Sequence, residues 1–368
     1  MTNYGPRIAC CYISHELAQK SETTMKPLRK RYITIKDIAK QLGISVSTVS
    51  RALRDTYDVS QETRDKVLAK AEELNYRPNF NATGLVQNST RKIGVLIPSI
   101  TNYYFSTVIT GIQEKAQEGG FTIVLYITND DPEIESKMLR ELTLSSLDGL
   151  LVCITSKTQS PDCFLELLQE GLPIVFFDRI MNIEGTSKVM QDDQTGAFRA
   201  VEHLVNQGYT RIAHITGPEG LLLTQNRLIG YKNALEHYNL PFNQDWIIHS
   251  GFSRKHGTED MTKLLLQKDI PDAVFAVCDP KAIGALMALR EKGIKAGNEI
   301  GIIGFTNDPM GEVISPALTT IAEPAYEIGR QSCELLLRHI RKNNFAGEEV
   351  ILPCHLIERQ STTRQQIT

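Results

Sequence analysis

Between residues 34 and 53 the hydrophobic positions recur with the spacing of two short helices. Thr34, followed by Asp37 three positions later, is typical of a capping box at the start of a helix. Gly43 can adopt a positive φ and therefore predicts the end of this helix, and Ser45 predicts the N-cap of the next one. The predicted apolar faces are Ile35, Ile38, Ala39 and Leu42 in the first helix and Val49 and Leu53 in the second.

A third helix is predicted after Ser60, which would be its N-cap. Ala39 is small enough for two helices to cross closely, and the spacing from Ala39 to Gly43 and Val49 is typical of a helix-turn-helix. Any three-helix unit shows the same periodicity, so the polar face has to distinguish a DNA-binding unit from a structural one. The inward-facing residues of the third helix would be Val67, Leu68, Ala71 and Leu74.

From residue 93 onward, short β-branched runs alternate with amphipathic stretches. Strands that alternate with helices predict a doubly wound parallel sheet, and about 270 residues exceed a single core, so we expect two lobes. The predicted strands are Ile93–Pro98, Thr122–Ile127, Gly149–Ile154, Pro173–Phe177, Arg211–Ile215, Ala273–Val277 and Ile300–Phe305, and the predicted helices include 105–119, 194–208, 225–239 and 280–292.

The composition of the 368 residues, with 41% hydrophobic and 23% charged side chains, is typical of a globular protein with about two domains. No apolar run reaches the ~18–20 residues of a membrane span, and 8–13 is too short for a signal peptide. Seven cysteines without a CxxC spacing favour a reducing compartment over disulfides or a zinc site. We therefore expect a cytoplasmic protein with no membrane partner and no metal.

The charge is unevenly distributed along the chain. Residues 26–92 carry 14 Lys and Arg against 7 Asp and Glu, whereas the whole chain carries 40 against 43. A compact basic segment joined to an acidic body indicates that one module binds a polyanion and the other binds something else.

The exposed side of the second helix has the chemistry to read DNA. Arg51 can donate two hydrogen bonds to guanine, and Val46 offers a methyl surface for thymine. Ser47, Thr48 and Ser50 can reach base edges or phosphates. Serine and arginine are also ordinary surface residues, so this interpretation depends on their position within the motif.

The stretch TIKDIAKQLGISVSTVSRAL, continued by VSQETRDKVLAKAEELNYRPN, resembles the DNA-binding headpiece of the LacI/GalR repressors. The resemblance implies a small all-α helix-turn-helix headpiece and an α/β two-lobed effector domain like that of periplasmic binding proteins. It implies DNA contacts from Thr34, Ser45, Val46, Ser47, Thr48, Ser50 and Arg51. The expected domains are an N-terminal extension (1–31), the headpiece (32–78), a hinge (79–91) and an effector-binding and dimerisation domain (92–362).

The hinge of this family is a short helix that enters the minor groove of the operator. By position Leu85 would be the residue that wedges between the central base pairs, and Ala82 would contact the groove or the partner hinge. Gly84 precedes the leucine and lowers helix stability by about 1 kcal/mol relative to alanine. The alternative is that Leu85 is a linker residue that packs on its own domain.

The resemblance also implies an effector site between the lobes. Arg227, in TQNRLIGY, matches an arginine that grips the effector, and Asp279, in AVCDPKAIGAL, matches the acidic residue of an Asn-Asp pair in which Cys278 replaces the asparagine. Phe105 and Phe252 match aromatic residues at the ligand, although packing in the core is an alternative for both. Further candidates are Asp178, Asp192 and Asn307.

These features together predict a homodimeric regulator, a repressor of transcription, that binds a pseudo-palindromic operator and a sugar or sugar derivative. A purine or nucleoside, a carrier protein bound on the N-terminal lobe, and activator function remain alternatives. The pairs Asp192-Asp193 and Asp178-Arg179 would suit an enzyme as well as a ligand cleft. Because GxGxxG after a strand, GxxxxGK[ST] and HExxH do not occur, we expect no catalysis and no cofactor.

Residues 1–24 have no counterpart in the family, and Met25-Lys26-Pro27 resembles a natural start. We expect that the N-terminal extension is disordered or that translation starts at Met25. Lys26, Arg29, Lys30 and Arg31 would add phosphate contacts that strengthen binding without reading the sequence.

Overall fold

The computed structural model describes residues 33–53, 58–76, 89–142, 146–342 and 346–364. The N-terminal extension, Met25, Ala82 and Leu85 lie outside the described residues, so the predictions for them stay predictions. The chain divides into two compact units, Met1–Thr83 and Gly84–Thr368, and each is described by itself.

The described residues of the first unit form three helices, α1 (Ile35–Leu42), α2 (Val46–Leu53) and α3 (Gln61–Glu73). The carboxylate of Asp37 accepts hydrogen bonds from the Thr34 amide and hydroxyl, both at 2.8 Å, which forms the predicted cap. Gly43 has φ +65° and ends α1 in the left-handed conformation that glycine adopts without strain.

The core of the first unit is built from small and β-branched side chains. Val67 and Ala71 of α3 are buried, and Leu74 packs at the edge of the same stripe. The prediction that Leu68 faces inward is wrong, since its side chain is 48% exposed. Positions i, i+4 and i+7 share one face of a helix, and Leu68 lies about 100° away from that face. The core residues are Ile38, Ala39, Val49, Ala52, Val67 and Ala71.

The second unit contains two six-stranded sheets within its described residues. The strands are β1 (Lys92–Ile97), β2 (Thr122–Ile127), β3 (Gly149–Val152), β4 (Ile174–Phe177), β5 (Ser187–Gln191), β6 (Ile212–Thr216), β7 (Ile247–His249), β8 (Ala273–Ala276), β9 (Gly301–Thr306), β10 (Thr319–Ala322), β11 (Glu349–Leu352) and β12 (His355–Ile357). The helices are α4 (Tyr103–Glu118), α5 (Pro132–Glu141), α6 (Asp162–Gln169), α7 (Asp193–Asn206), α8 (Leu222–His237), α9 (Arg254–Leu265), α10 (Asp279–Glu291), α11 (Met310–Val313) and α12 (Ala325–Lys342).

The two sheets define two lobes. The order β11-β5-β4-β3-β1-β2 makes the first lobe, and the order β12-β10-β9-β8-β6-β7 makes the second. Among the described strands, every pair is parallel except β10 with β12, so the predicted doubly wound parallel sheets are confirmed. The chain passes between the lobes after β5, after β10 and after β11.

The seven predicted strands are all present, with ends that differ from the prediction by at most two residues. The strands that the hydrophobic pattern did not indicate are β5, β7, β10, β11 and β12. In β5, buried residues alternate with half-buried ones, and β7, β11 and β12 contain only half-buried or exposed residues. These strands lie at or next to the edges of their sheets. Such strands lack the continuous apolar run that marks a strand buried on both faces.

His214 is buried in the centre of the second lobe, on β6. Its ring stacks on Phe275 with the ring centroids 4.4 Å apart, and Nδ1 donates to the Phe275 carbonyl oxygen at 2.9 Å. Burial, with the positive charge of Lys281 nearby, lowers the pKa of His214 to about 3. The imidazole is therefore neutral in the folded protein.

We expect His214→Phe to make the second unit less sensitive to acid. Because the pKa of His214 lies below its unfolded value of 6.5, its contribution to stability is complete at neutral pH and is lost as the pH falls. Between pH 7.5 and pH 4.5, the free energy of unfolding of the unsubstituted protein should fall by about 2–3 kcal/mol more than that of the variant. Urea unfolding at both pH values measures the difference. His237→Gln, at an exposed histidine, is the control and should show no such difference.

Candidate functional site

The first part of the candidate site is the solvent-facing side of α2. Val46 is 37% exposed, and Ser47 and Arg51 are also exposed, opposite the buried Val49 and Ala52. These three side chains project from the face that does not pack on α1 or α3. An apolar group, a hydroxyl and a guanidinium therefore lie on one exposed helical surface. Such groups can contact thymine methyl groups and the hydrogen-bonding atoms of base edges.

Three further predicted DNA contacts, Thr34, Ser45 and Thr48, take part in hydrogen bonds at helix starts. Ser45 Oγ accepts a hydrogen bond from the Thr48 amide at 3.0 Å and lies 2.7 Å from Ser47 Oγ and 2.8 Å from Thr48 Oγ1. Thr48 and Ser50 are half-buried. Thr34 is exposed but bonded to Asp37. The hydroxyls at the start of α2 therefore fix the helix end as well as facing solvent.

The second part of the candidate site lies between the lobes and is centred on Arg227, on α8. Its guanidinium is 3% exposed and donates from Nε to Asp193 Oδ1 at 2.7 Å and from Nη2 to Glu323 Oε1 at 2.5 Å. Nη1 donates to the Val277 carbonyl oxygen at 2.6 Å. Asp193 follows the crossover after β5 and Glu323 lies in the crossover after β10. Arg227 therefore ties two of the three crossovers to the second lobe.

The electrostatics around Arg227 are dominated by carboxylates. Burial raises the pKa of Asp193 to about 6 and that of Glu323 to about 7, and Arg227 opposes both shifts. Burial also disfavours the charge of Arg227, but the attraction of Asp193 and Glu323 outweighs it and raises the Arg227 pKa. One cation thus faces two buried carboxylates, and Asp178 adds a third negative charge nearby.

Asp178 and Asp192 have different surroundings. Asp178 follows β4 with φ +57°, and its Oδ1 accepts from Gln191 Nε2 at 3.3 Å. The same amide lies 3.2 Å from Asp193 Oδ1 and so joins Asp178 to the Arg227 cluster. Asp192 is half-buried and caps α7 by accepting from the Thr195 amide at 3.0 Å. Its carboxylate already has a structural role at the crossover.

Asp279 is completely buried at the start of α10. Its two oxygens accept from Thr320 Oγ1 at 2.6 Å and from the Asp308 amide at 2.7 Å, while burial raises its pKa to about 6. Gly304 is required here, since a Cβ at that position would lie 2.0 Å from Asp279 Oδ1. Asn307, in the same loop, accepts from Arg359 Nη2 at 2.9 Å. Asp279 and Asn307 therefore form a group beside the Arg227 cluster.

The two predicted aromatic residues face one guanidinium. Phe105, buried on α4 of the first lobe, has its ring centroid 5.8 Å from the Arg179 guanidinium carbon, and Phe252, half-buried in the second lobe, has its centroid 4.8 Å away. Arg179 also pairs with Asp130 at 2.9 Å. The predicted stacking surfaces thus lie on opposite lobes, and one cation is close to both of them.

A cavity of about 280 Å³ opens beside these residues, between the start of α4 and the crossover after β10. Asn307 and Glu323 supply polar groups to its wall, and Tyr103 and Tyr326 supply aromatic rings. The residues that the structure describes contain no cluster of three or more His, Cys, Asp or Glu side chains arranged to hold a metal. No described helix combines the length and apolarity of a membrane span.

Comparison with known proteins relates both parts to one family. Residues 34–79 match the family of "Bacterial regulatory proteins, lacI family", and residues 201–362 match the "Periplasmic binding protein-like domain". The HTH-type transcriptional regulator DegA of Bacillus subtilis is 33% identical over 331 residues, which are 90% of this chain and 98% of DegA. The HTH-type transcriptional repressor PurR of Vibrio parahaemolyticus is 33% identical over 84% of this chain and 92% of PurR. The chain belongs to the LacI family.

Two solved structures of this family are similar over most of the chain. The lac repressor dimer bound to operator and the anti-inducer ONPF has a TM-score of 0.80 at 25% identity and covers 90% of this chain and 100% of that one. A LacI family transcriptional regulator from Enterococcus faecium with bound ribose has a TM-score of 0.66 at 32% identity and covers 75% and 100%. The predicted fold and family are confirmed.

Three residues of this LacI-family cleft were not among the predicted effector residues: Arg179, Asp193 and Glu323. Asp193 and Arg179 appeared in the sequence only as members of acidic or charged pairs, and Glu323 belonged to no motif. The one local signal was that each follows a short buried or β-branched run. Parallel strands bring such positions to one edge of a sheet. Their convergence on Arg227 and Phe252 depends on the crossovers, which the sequence pattern did not locate.

Proposed function

We propose that this LacI-family protein is a homodimeric repressor of transcription that works on DNA in the cytoplasm and is controlled by a neutral sugar bound between its lobes. The observation that carries the proposal is the acceptor-rich cleft, in which the buried Arg227 pairs with Asp193 and Glu323 and lies near Asp178. Carboxylates accept hydrogen bonds, so they favour a ligand that is rich in donors. Sugar hydroxyls supply such donors without adding negative charge.

The ribose-bound relative from Enterococcus faecium supports this ligand class. We propose that Arg227, Asp178, Asp279 and Asn307 bind hydroxyl groups, with Phe105 and Phe252 on the faces of the ring. Asp192 contributes by holding the start of α7. Asp178, Asp192 and Asp279 each accept a hydrogen bond from another group of the protein. Because these bonds hold the carboxylates in place, we propose that they position a ligand and that the protein has no catalytic activity.

A purine or nucleoside is the second candidate, because two aromatic rings suit a flat ligand. The carboxylates disfavour a phosphorylated nucleotide by charge repulsion. Two further alternatives remain. In one, a carrier protein rather than a small molecule changes the affinity for DNA; in the other, the DNA-bound protein activates transcription instead of repressing it.

On DNA, we propose that Val46, Ser47 and Arg51 of α2 contact base edges, while Thr34, Ser45, Thr48 and Ser50 fix the helix and contact phosphates. Ala82 and Leu85 are proposed to enter the minor groove at the operator centre. Two copies related by a two-fold axis would read a pseudo-palindromic site. The lac repressor dimer bound to its operator supports this arrangement.

We expect Arg51→Ala to remove base preference at one position of each operator half-site. Selection of random duplexes by the unsubstituted protein should first give a pseudo-palindrome. The variant should then bind the selected site about 1–3 kcal/mol more weakly and tolerate substitution of one base pair, because the bidentate contact to guanine is gone.

Lys66→Ala is the matched control, since it removes one positive charge from the exposed side of α3. It should leave the base preference unchanged and weaken binding only slightly. An Arg51→Ala variant that keeps the full preference of the unsubstituted protein would contradict the proposed base contact.

The ligand class is tested by thermal unfolding with pentoses, hexoses, sugar phosphates and purine bases. A ligand at 100 times its Kd stabilises the fold by about 2.7 kcal/mol, which raises Tm by several degrees. The proposal expects a neutral sugar to raise Tm and to change operator affinity. A response to purines alone would favour the second candidate, and no response to small molecules would favour a carrier protein.

A further inference from the structure

The two lobes contact each other through Arg179. This residue follows β4 in the first lobe, and Phe252 follows β7 in the second. The Arg179 guanidinium carbon lies 4.8 Å from the Phe252 ring centroid and 5.8 Å from that of Phe105, which belongs to the same lobe as Arg179. The cation therefore lies within interaction distance of one ring from each lobe, and the negative faces of both rings attract it.

Arg179 is held in place from the side of the first lobe. Nη1 donates to Asp130 Oδ1 at 2.9 Å, and Asp130 also accepts from the amide and hydroxyl of Ser156 at 2.8 and 2.6 Å. The Arg179 carbonyl oxygen accepts from the Ile154 amide at 3.1 Å. These bonds come from the ends of β2 and β3, so the guanidinium is presented to the cleft by a rigid edge of the sheet.

Phe252 is held in the same way from the second lobe. Cys278 Sγ donates to the Phe252 carbonyl oxygen at 3.4 Å. The ring lies directly over Gly217, where a Cβ would be 2.7 Å from ring atom Cε1, so only glycine allows this position. The ring therefore points towards Arg179 because its backbone and its lower face are both fixed by the second lobe.

Apolar side chains close the contact behind the ring. Leu221 and Leu223, at the start of α8 in the second lobe, are 3% and 6% exposed and belong to a core cluster whose other buried members are in the first lobe. Phe252 packs against the same cluster. The lobes thus share an apolar contact, and Arg179 with Phe252 forms its edge towards the predicted ligand site.

We propose that Arg179 and Phe252 form a latch between the lobes, and that a ligand entering between Phe105 and Phe252 has to displace the Arg179 guanidinium. Opening the latch frees the lobes to change their relative angle, so entry of the ligand and reorientation of the lobes are one event. The role of the ligand rests on the proposed function, whereas the latch itself depends only on contacts within this chain.

Hydrogen–deuterium exchange of the full chain, without added ligand or DNA, tests the latch. Phe252→Ala should raise the exchange rate of the amides at the cleft edge, including that of Ile154, about tenfold, which corresponds to the loss of about 1.4 kcal/mol. The radius of gyration in small-angle X-ray scattering should increase. Phe242→Ala is the matched control, because Phe242 is 47% exposed and its ring faces Lys232 of its own lobe. It should change neither quantity.

Arg179→Met separates the latch from general loosening of the second lobe. It removes the cation but leaves the Phe252 ring and its supports in place, and Asp130 stays partly hydrated because its side chain is 39% exposed. The variant should increase exchange at the same amides, and the double variant Arg179→Met, Phe252→Ala should add little to either single one. Unchanged exchange in both single variants, or additive effects in the double variant, would overturn the latch.

Operator binding is measured on the same samples. If the unsubstituted protein selects no operator, the proposed function is contradicted. The exchange measurements still decide whether the latch exists, because they need neither ligand nor DNA. Operator binding together with unchanged exchange in Phe252→Ala would overturn the latch and leave the proposed function in place.

Discussion

Replacing Arg227 with methionine should lower the free energy of unfolding of the second unit by about 3–5 kcal/mol, because removing one partner of a buried ion pair leaves the other charge without compensation. The variant leaves Asp193 and Glu323, each with a side chain 4% exposed, without their shared cation. The Val277 carbonyl oxygen also loses its donor. Because Asp193 and Glu323 lie at two crossovers, their repulsion acts where the lobes are joined.

The loss should grow with pH. Both carboxyl groups have folded-state pKa values, about 6 for Asp193 and about 7 for Glu323, above their unfolded values, so their protonation favours the folded state. Stability from these groups is therefore present at low pH and is lost as the pH rises through 6 and 7. Without Arg227 the pKa of each carboxyl group rises further, and the difference between variant and unsubstituted protein should be larger at pH 8 than at pH 5.

Urea unfolding at the two pH values measures this effect. Arg211→Met is the matched control, since its partner Asp269 and its own side chain are 61% and 48% exposed, and we expect a change below about 1 kcal/mol. Adding Asp193→Asn and Glu323→Gln to Arg227→Met should recover part of the loss. A pH-independent loss that these additions do not reduce would contradict the charge argument.

Replacing Lys281 with methionine should also lower the free energy of unfolding by about 3–5 kcal/mol, because the buried charge of Asp260 loses its partner. Lys281 is completely buried near the start of α10, where the helix dipole disfavours a cation. Its Nζ donates to Thr216 O at 2.5 Å and to Ser250 Oγ at 2.8 Å, and it pairs with Asp260 Oδ2 at 2.8 Å. Burial lowers the pKa of Lys281, and Asp260 opposes that shift.

The double variant Lys281→Met, Asp260→Leu tests whether the unpaired charge causes the loss. It removes both charges and should be more stable than Lys281→Met alone, because no buried ion remains without a partner. Lys263→Met is the matched control: Lys263 also pairs with Asp260, at 3.5 Å, but is 61% exposed, so its removal should cost less than about 1 kcal/mol. Equal stability of Lys281→Met and the double variant would contradict this explanation.

The helix-turn-helix can be predicted from the sequence alone, because its signals act over a few residues. Thr34, Asp37 and Gly43 act on the backbone of their own helix, and the burial of Val49 and Val67 follows from helical periodicity. Leu68 was placed wrongly because it neighbours Val67 in sequence but faces solvent. The strands with continuous apolar runs were equally readable, since they are buried on both faces.

The assembly of the cleft, in contrast, depends on tertiary contacts between residues that are far apart in the sequence. Arg227, Asp193 and Glu323 are separated by 34 and 96 residues and meet because the chain crosses between the lobes after β5 and β10. The strands that precede these crossovers, β5 and β10, carry mixed polar and apolar residues, and no local pattern identifies them. Arg179 likewise gains its second ring from the opposite lobe. Local propensity specifies elements, but which charges share a buried site depends on the path of the chain between them.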